Sequence, residues 1–148
     1  MPTEAGPDKL SIVVFSGDFD KVHYALVLAS GAAAIGKAVT LFFTMEASRA
    51  LMKPGADGRP AWRALPVASP AWANAGAMDD AFAARGVATF EELLAACPEL
   101  GVRFLVCEMG LKAMDLSRDH LRDDIPVEDG GVVTFVTDAS ATGAVLFI

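Results

Sequence analysis

Apolar residues fall into four short runs that are continuous rather than alternating: Leu10 to Phe15, Ala38 to Phe43, Val102 to Val106 and Ala144 to Ile148. A strand with one wet face alternates apolar and polar positions, so these runs predict strands covered on both faces, as in parallel sheets. Between the first two runs, Val22, Ala25, Leu26, Ala29 and Ala33 recur at helical spacing, predicting a helix over Asp20 to Ile35 capped by an Asp. That is one strand-helix-strand unit. The other side of this helix carries Tyr24, Val27, Leu28 and Ile35, which predicts burial against a second layer or another subunit.

Further along, Thr89 and Glu92 have the spacing of a capping box, opening a helix from Phe90 to Cys97 that Pro98 and Gly101 end. A helix from Met109 to Leu116 follows the third run. Val132 to Val136 reads both ways: its β-branched residues favour a strand, while Val132, Phe135, Val136 and Ala139 also fit a helix. Lys53 to Gly86 differs in kind. Its prolines and glycines predict a loop inserted within the domain, and Trp62 and Trp72 argue against free solvation of that loop. They are expected to anchor it to its own domain, the alternative being a lid or partner surface.

The chain has 148 residues, 53% of them apolar and 21% charged, which suits one folded domain and excludes a disordered chain. A net charge of −7 disfavours nucleic acid and anionic membranes as partners. The start of the chain, Met1 to Asp8, lacks the basic and apolar stretches of a signal peptide, and no apolar run approaches a membrane span, so a cytoplasmic location is expected. The two cysteines, Cys97 and Cys107, are too few for a disulfide framework and lack CxxC spacing. No metal-ligand spacing and no Ser, His and Asp set appear, so neither a metal nor a cofactor is expected.

Chemistry is best placed at Cys107, which follows a predicted strand and precedes a helix. It should therefore stand open at the carboxyl edge of the sheet, where parallel-sheet proteins gather their binding sites. The positive end of a helix dipole favours thiolate, although neighbouring Glu108 opposes it. The competing reading is a buried cysteine acting as a small hydrophobe. Cys97 ends the preceding helix and should lie roughly 15 Å or more from Cys107, beyond disulfide reach, as a core residue. The loop Ser16, Gly17, Asp18, Phe19, Asp20, Lys21 also reaches the carboxyl edge and could bring Lys21 and His23 near the thiol. With a single glycine it is no phosphate-binding fingerprint. Its two Asp are expected to cap the helix, and His23 and His120 to be solvated.

With these residues in view, the chain resembles the DsrE/DsrF-like sulfur-relay family, of the TusD and YchN types. The resemblance covers most of the chain and rests on Ser16-Gly17-Asp18 with Asp20-Lys21, on Phe42-Phe43-Thr44, and on Gly101-Val102 through Cys107, Met109 and Met114, with a trailing Val127, Gly131 and Phe135. It implies a single α/β domain with a mostly parallel, about five-stranded sheet and helices on both faces, the three-layer arrangement of DsrE and flavodoxin-like folds. It makes Val132 to about Ala139 a helix, with Asp124 to Glu128 leading into a short strand. It also implies homo- or hetero-oligomers, and a cysteine at Cys107 that accepts sulfane sulfur as a persulfide and passes it between donor and acceptor proteins. Ser16, Gly17, Asp18, Lys21, Glu108 and Met109 then become the surrounding binding residues. Asp115 departs from the glycine expected there, and the inserted loop lacks the Met- and Gly-rich character of the family. The alternatives from other classes are a non-catalytic oligomeric module binding a small ligand or protein at the same edge, and a structural subunit with an active partner.

Overall fold

The computed structural model describes residues 6–148; residues 1–5, part of the stretch read for a leader, lie outside the described residues. Five strands form one parallel sheet: β1 (Lys9–Val14), β2 (Ala38–Phe43), β3 (Arg103–Cys107), β4 (Val127–Gly130) and β5 (Ala144–Phe147), in the order β4-β3-β2-β1-β5. Five α-helices lie between them: α1 (Phe19–Ala34), α2 (Ala75–Ala84), α3 (Phe90–Glu99), α4 (Glu108–Ala113) and α5 (Val132–Asp138). All four predicted strands and the capping box of α3 are present. The ambiguous segment is helical, as α5. Among the described residues no helix is long and apolar enough to cross a membrane.

The two faces of the sheet are covered unequally. Ile12, Val14, Leu41, Phe43, Phe104 and Val106 join α1, α3 and the segment after β2 in one large core, while the apolar cluster buried on the other face is only Phe42, Leu105, Cys107 and the α5 residue Phe135. The period of two along each strand sends alternate residues to these two layers, which is why the runs read as continuous. Phe135 stacks on Phe42 at 5.1 Å and is the one buried residue of α5. At the far end of that helix Asp138 accepts hydrogen bonds from Lys9 Nζ at 2.7 Å, Thr40 Oγ1 at 2.6 Å and Arg103 Nη1 at 2.8 Å. Burial works to raise the Asp138 carboxyl, but the bonds from Lys9 and Thr40 and the Lys9 and Arg103 charges outweigh it and hold it below the usual carboxylate range. A helix of seven residues does not persist alone, so the Phe135 ring and the Asp138 hub keep it on the sheet.

The predicted inserted loop is not a loop throughout, and it is anchored to the domain as expected. It contains a 3-10 helix at Ala61–Ala64, and α2 (Ala75–Ala84) takes up most of its second half, started by the Asn74 side chain accepting from Ala77 N–H at 2.8 Å. Trp62 anchors it, 2% exposed, stacking on Phe19 at 5.4 Å and donating Nε1–H to Glu91 at 2.6 Å. Trp72 is half-buried beneath the Arg85 guanidinium at 5.2 Å. Two expectations for the neighbourhood fail here. Asp18 occupies the N-cap of α1 without a side-chain cap bond, and Asp20 instead accepts from the Ala68 and Ser69 amides of the insertion, both at 3.0 Å. His23 is not solvated: it is 4% exposed, with Nε2 donating to Ala88 carbonyl at 2.9 Å and its ring 4.6 Å from Phe82. The insertion covers that face of α1, and sequence spacing has no access to so distant a neighbour. Val27 and Leu28 likewise pack against the core, leaving Tyr24 and Ile35 exposed.

Helix α3 ends as a Schellman motif, with Val102 N–H bonding Cys97 carbonyl at 2.9 Å, Gly101 N–H bonding Pro98 carbonyl at 3.0 Å, and Gly101 at φ +87°. Helix α4 closes with the same pair of bonds, Leu116 to Leu111 and Asp115 to Lys112, but Asp115 takes the left-handed position at φ +55°. This accounts for the glycine expected there. Asp115→Gly should therefore stabilise the chain by about 0.5–1 kcal/mol through relief of that strain, read as a raised urea midpoint with unchanged slope. A lowered midpoint would show that the Asp115 side chain contributes more than its backbone costs.

Candidate functional site

Cys107 closes β3 and is the N-cap of α4, its backbone extended at φ −79° and ψ 117° and its Sγ accepting from Gly110 N–H at 3.4 Å. The sulfur sits there because α4 is drawn hard against the end of β2: a Cβ on Gly110 would lie 2.6 Å from Thr44 Oγ1 and 2.8 Å from Met45 N. Only glycine permits that approach. The expected open thiol is not found, because Cys107 is 2% exposed and clusters with Phe42, Leu105 and Phe135. The reason is α5, whose single buried ring caps the second face of the sheet beside it.

Burial does not seal the residue off. Cys107, Glu108 and Met109 line an open recess of about 540 Å³ with Asp129, Gly130 and the first turn of α5. Gly130 stands opposite Cys107 in the β3–β4 register, and a Cβ there would lie 3.3 Å from the Thr134 methyl. The absence of a side chain at Gly130 thus helps leave the recess open above the strand end. Its rim is apolar and acidic: Met109, Val132 and Val133 are 66%, 58% and 80% exposed, and Asp129 is held by Arg118 at 3.3 Å.

The structure splits the predicted site set. Glu108 and Met109 share the recess with Cys107, whereas Ser16, Gly17, Asp18 and Lys21 follow β1, two strands away, which is roughly 10 Å at ordinary strand spacing. Gly17 packs there on the chain after β2, its added Cβ falling 2.8 Å from Glu46 Cβ, and Ser16 Oγ accepts from Asp18 N–H at 3.1 Å. Lys21 pairs with Asp18 at 3.7 Å rather than with the thiol. His23 faces the opposite layer. Asp129, Gly130 and Val132 to Thr134 were not singled out by sequence reasoning. Nothing in one sequence gives the register between β3 and β4, although Gly130-Gly131 before an apolar segment is the local sign of a tight entry.

The other cysteine behaves as predicted. Cys97 is fully buried, and burial pushes its thiol up to about 11, so it stays protonated near neutrality. Both cysteines are free thiols. His120 is exposed, its Nδ1 accepting from Ser117 N–H at 3.0 Å. Among the described residues no cluster of His, Cys, Asp and Glu suits a metal ion.

Comparison with known proteins adds the context for this geometry. The model of the DsrE/DsrF/DrsH-like family matches residues 7–147. The chain is 29% identical to the uncharacterized protein YrkE of Bacillus subtilis over 95% of its own length and 96% of that protein. It is 27% identical to the sulfur carrier protein DsrE2 of Allochromatium vinosum over 95% of its length and 98% of that protein. Among solved structures it superposes on the protein MTH1491 of Methanobacterium thermoautotrophicum (TM-score 0.56, 13% identity, 95% of this chain and 98% of that one). It also superposes on YchN of E. coli (TM-score 0.53, 18% identity, with the same 95% and 98% coverage). At these identities the two structures share its fold.

Proposed function

The chain belongs to the DsrE/DsrF/DrsH-like family, and from that premise we propose that it is a sulfur-relay protein carrying sulfane sulfur as a persulfide on Cys107. The observation that carries this reading is the position of Cys107 at the end of a parallel strand, beneath the recess that Gly130 leaves open. The thiolate attacks the outer sulfur of a donor protein's persulfide; the new S–S bond forms on Cys107 as the donor's S–S bond breaks, and the donor leaves as a thiol. An acceptor thiolate then takes the outer sulfur by the same exchange. Each step trades one S–S bond for another, so no oxidant and no cofactor enters. Such chemistry belongs in the cytoplasm, where thiols are kept reduced. Gly110 N–H, already directed at Sγ, steadies the anion.

Intact-mass spectrometry after incubation with a charged donor tests this. The native chain should gain one sulfur, and Cys107→Ser should gain none. Equal uptake by the variant would dismiss the assignment.

The low exposure of Cys107 favours a second reading, in which the thiol packs and the recess holds a ligand or partner without covalent chemistry. That reading predicts slow alkylation of Cys107 in the native chain and no sulfur uptake at all.

We also propose that the chain associates with copies of itself. The supporting surface is not the α1 side predicted from sequence but the thinly covered one, where Val145 and Phe147 of the edge strand are 58% and 69% exposed. Phe15 lies 5.2 Å from the Phe147 ring, and Val133 and Val136 extend the apolar surface along α5. Light scattering should return a multiple of 15.5 kDa, and Phe147→Asp should reduce it. A native chain of monomer mass would refute self-association.

A further inference from the structure

We propose that the insertion builds a second site, separate from Cys107, for a small amphiphilic anion: a carboxylate or phosphate ester carried on an apolar body. A recess of about 550 Å³ lies above the carboxyl edge of β2, between the 3-10 helix Met45–Leu51 and the chain from Lys53 to Pro66. Four of the chain's 12 Lys and Arg residues line it, Arg49, Lys53, Arg59 and Arg63, against a single acid, Asp57.

What distinguishes this cluster is that, among the described residues, two cations without an acid partner share one recess; elsewhere Arg85 lies over the Trp72 ring, and Lys112 lacks an acid partner but lies outside this recess. In a chain with 19 acids, the carboxylates find most of the positive groups: Lys9, Lys21, Arg103, Arg118 and Arg122 all have one within 4 Å. Arg49 and Arg63 in the recess are likewise held, by Glu46 at 2.9 Å and Asp80 at 3.0 Å. Lys53 and Arg59 have no acid partner and no side-chain hydrogen bond among the described residues, and both face the same recess. The chain that carries them is fixed by hydrogen bonds: Gly55 N–H bonds Arg59 carbonyl at 3.2 Å, Arg59 N–H bonds the Asp57 carboxylate at 3.0 Å, and Lys53 N–H bonds His120 carbonyl at 2.9 Å. Two uncommitted cations whose backbone is fixed at and beside this turn offer a pair of charged donors to an anion. The rest of the lining includes Met52, Ala61, Ala64, Leu65 and Pro66, apolar groups that favour a ligand with a hydrocarbon part over a bare ion.

The inference makes no use of the thiol, so it stands or falls independently of sulfur transfer. Calorimetric titration of the full chain with octanoate and with octyl phosphate should show a single class of site. The double variant Lys53→Ala/Arg59→Ala should bind about tenfold more weakly or worse, the loss of two charge-assisted contacts, while Arg85→Ala, a cation outside the recess, should bind as the native chain does. Both replaced side chains are exposed, so the fold should be kept, which circular dichroism of the variant checks. Inorganic phosphate should bind more weakly than octyl phosphate; equal binding would overturn the role of the apolar wall. No heat with either amphiphile, undiminished binding by the double variant, or preference for an oligo-glutamate peptide over both amphiphiles would overturn the proposal.

Discussion

Phe19→Ala is expected to destabilise the chain by about 3–5 kcal/mol, the cost of emptying a fully enclosed aromatic site that its neighbours cannot refill. Phe19 is 0% exposed and is the ring on which three parts of the molecule meet. It lies 5.4 Å from Trp62 of the insertion, 5.4 Å from Phe90 at the start of α3, 5.7 Å from His23 and 6.5 Å from Phe82 of α2. Its own amide donates to Pro66 carbonyl at 2.8 Å, so the backbone of α1 is tied to the insertion at the same point. Removal of the ring should therefore loosen residues 53–86 before the sheet melts. Equilibrium unfolding should show the loss, and proteolysis should begin in the insertion. A loss under about 1 kcal/mol, with cleavage elsewhere, would show that the insertion is not anchored through this cluster.

Phe135→Ala should raise the rate of Cys107 alkylation about tenfold or more while leaving the rest of the fold intact. The ring is the sole buried residue of α5 and shares its cluster with the thiol, so its burial, about 1.5–3 kcal/mol, is what holds the end of the cover beside Cys107. Alkylation of a covered thiol follows the population of the open form, and about 1.4 kcal/mol is a factor of ten in that population. Asp138 should keep the far end of the helix tethered through Lys9, Thr40 and Arg103. An unchanged rate, with native circular dichroism, would mean that reagents reach Sγ through the recess without any movement of α5.

The sequence is most informative where structure follows from short-range chemistry. Continuous apolar runs locate β1, β2 and β3 because both faces of those strands are covered, and they locate β5 too, although Val145 and Phe147 on one face of that edge strand are exposed; Thr89 and Glu92 mark the start of α3 because their bonds close within four residues. Cys97 is legible for the same reason, lying on the inward stripe of α3. The readings that fail depend on partners far along the chain. His23 is buried by α2 and by Ala88, and Asp20 is taken from its cap by the amides of Ala68 and Ser69. Helix α2 escapes notice because its small residues stand in a stretch dominated by Pro and Gly.

At the site, the strand end and following helix that place Cys107 are local and readable, whereas the cover over it is not. Val132 to Val136 fits a strand and a helix equally by pattern; the resemblance makes it a helix, and packing of Phe135 on Phe42 with the bonds to Asp138 holds it as one. The grouping of Cys107 with Gly130 rather than with Ser16 to Lys21 follows from the strand order, which no spacing in the sequence records.

The most direct test of sulfur transfer is to charge the native chain with a sulfane-sulfur donor, block free thiols, digest it and locate the added sulfur by peptide mass spectrometry. A persulfide is expected on the peptide holding Cys107, with the peptide holding Cys97 carrying only the thiol block. Added sulfur on Cys97 alone, or on neither peptide, would contradict sulfur transfer through Cys107.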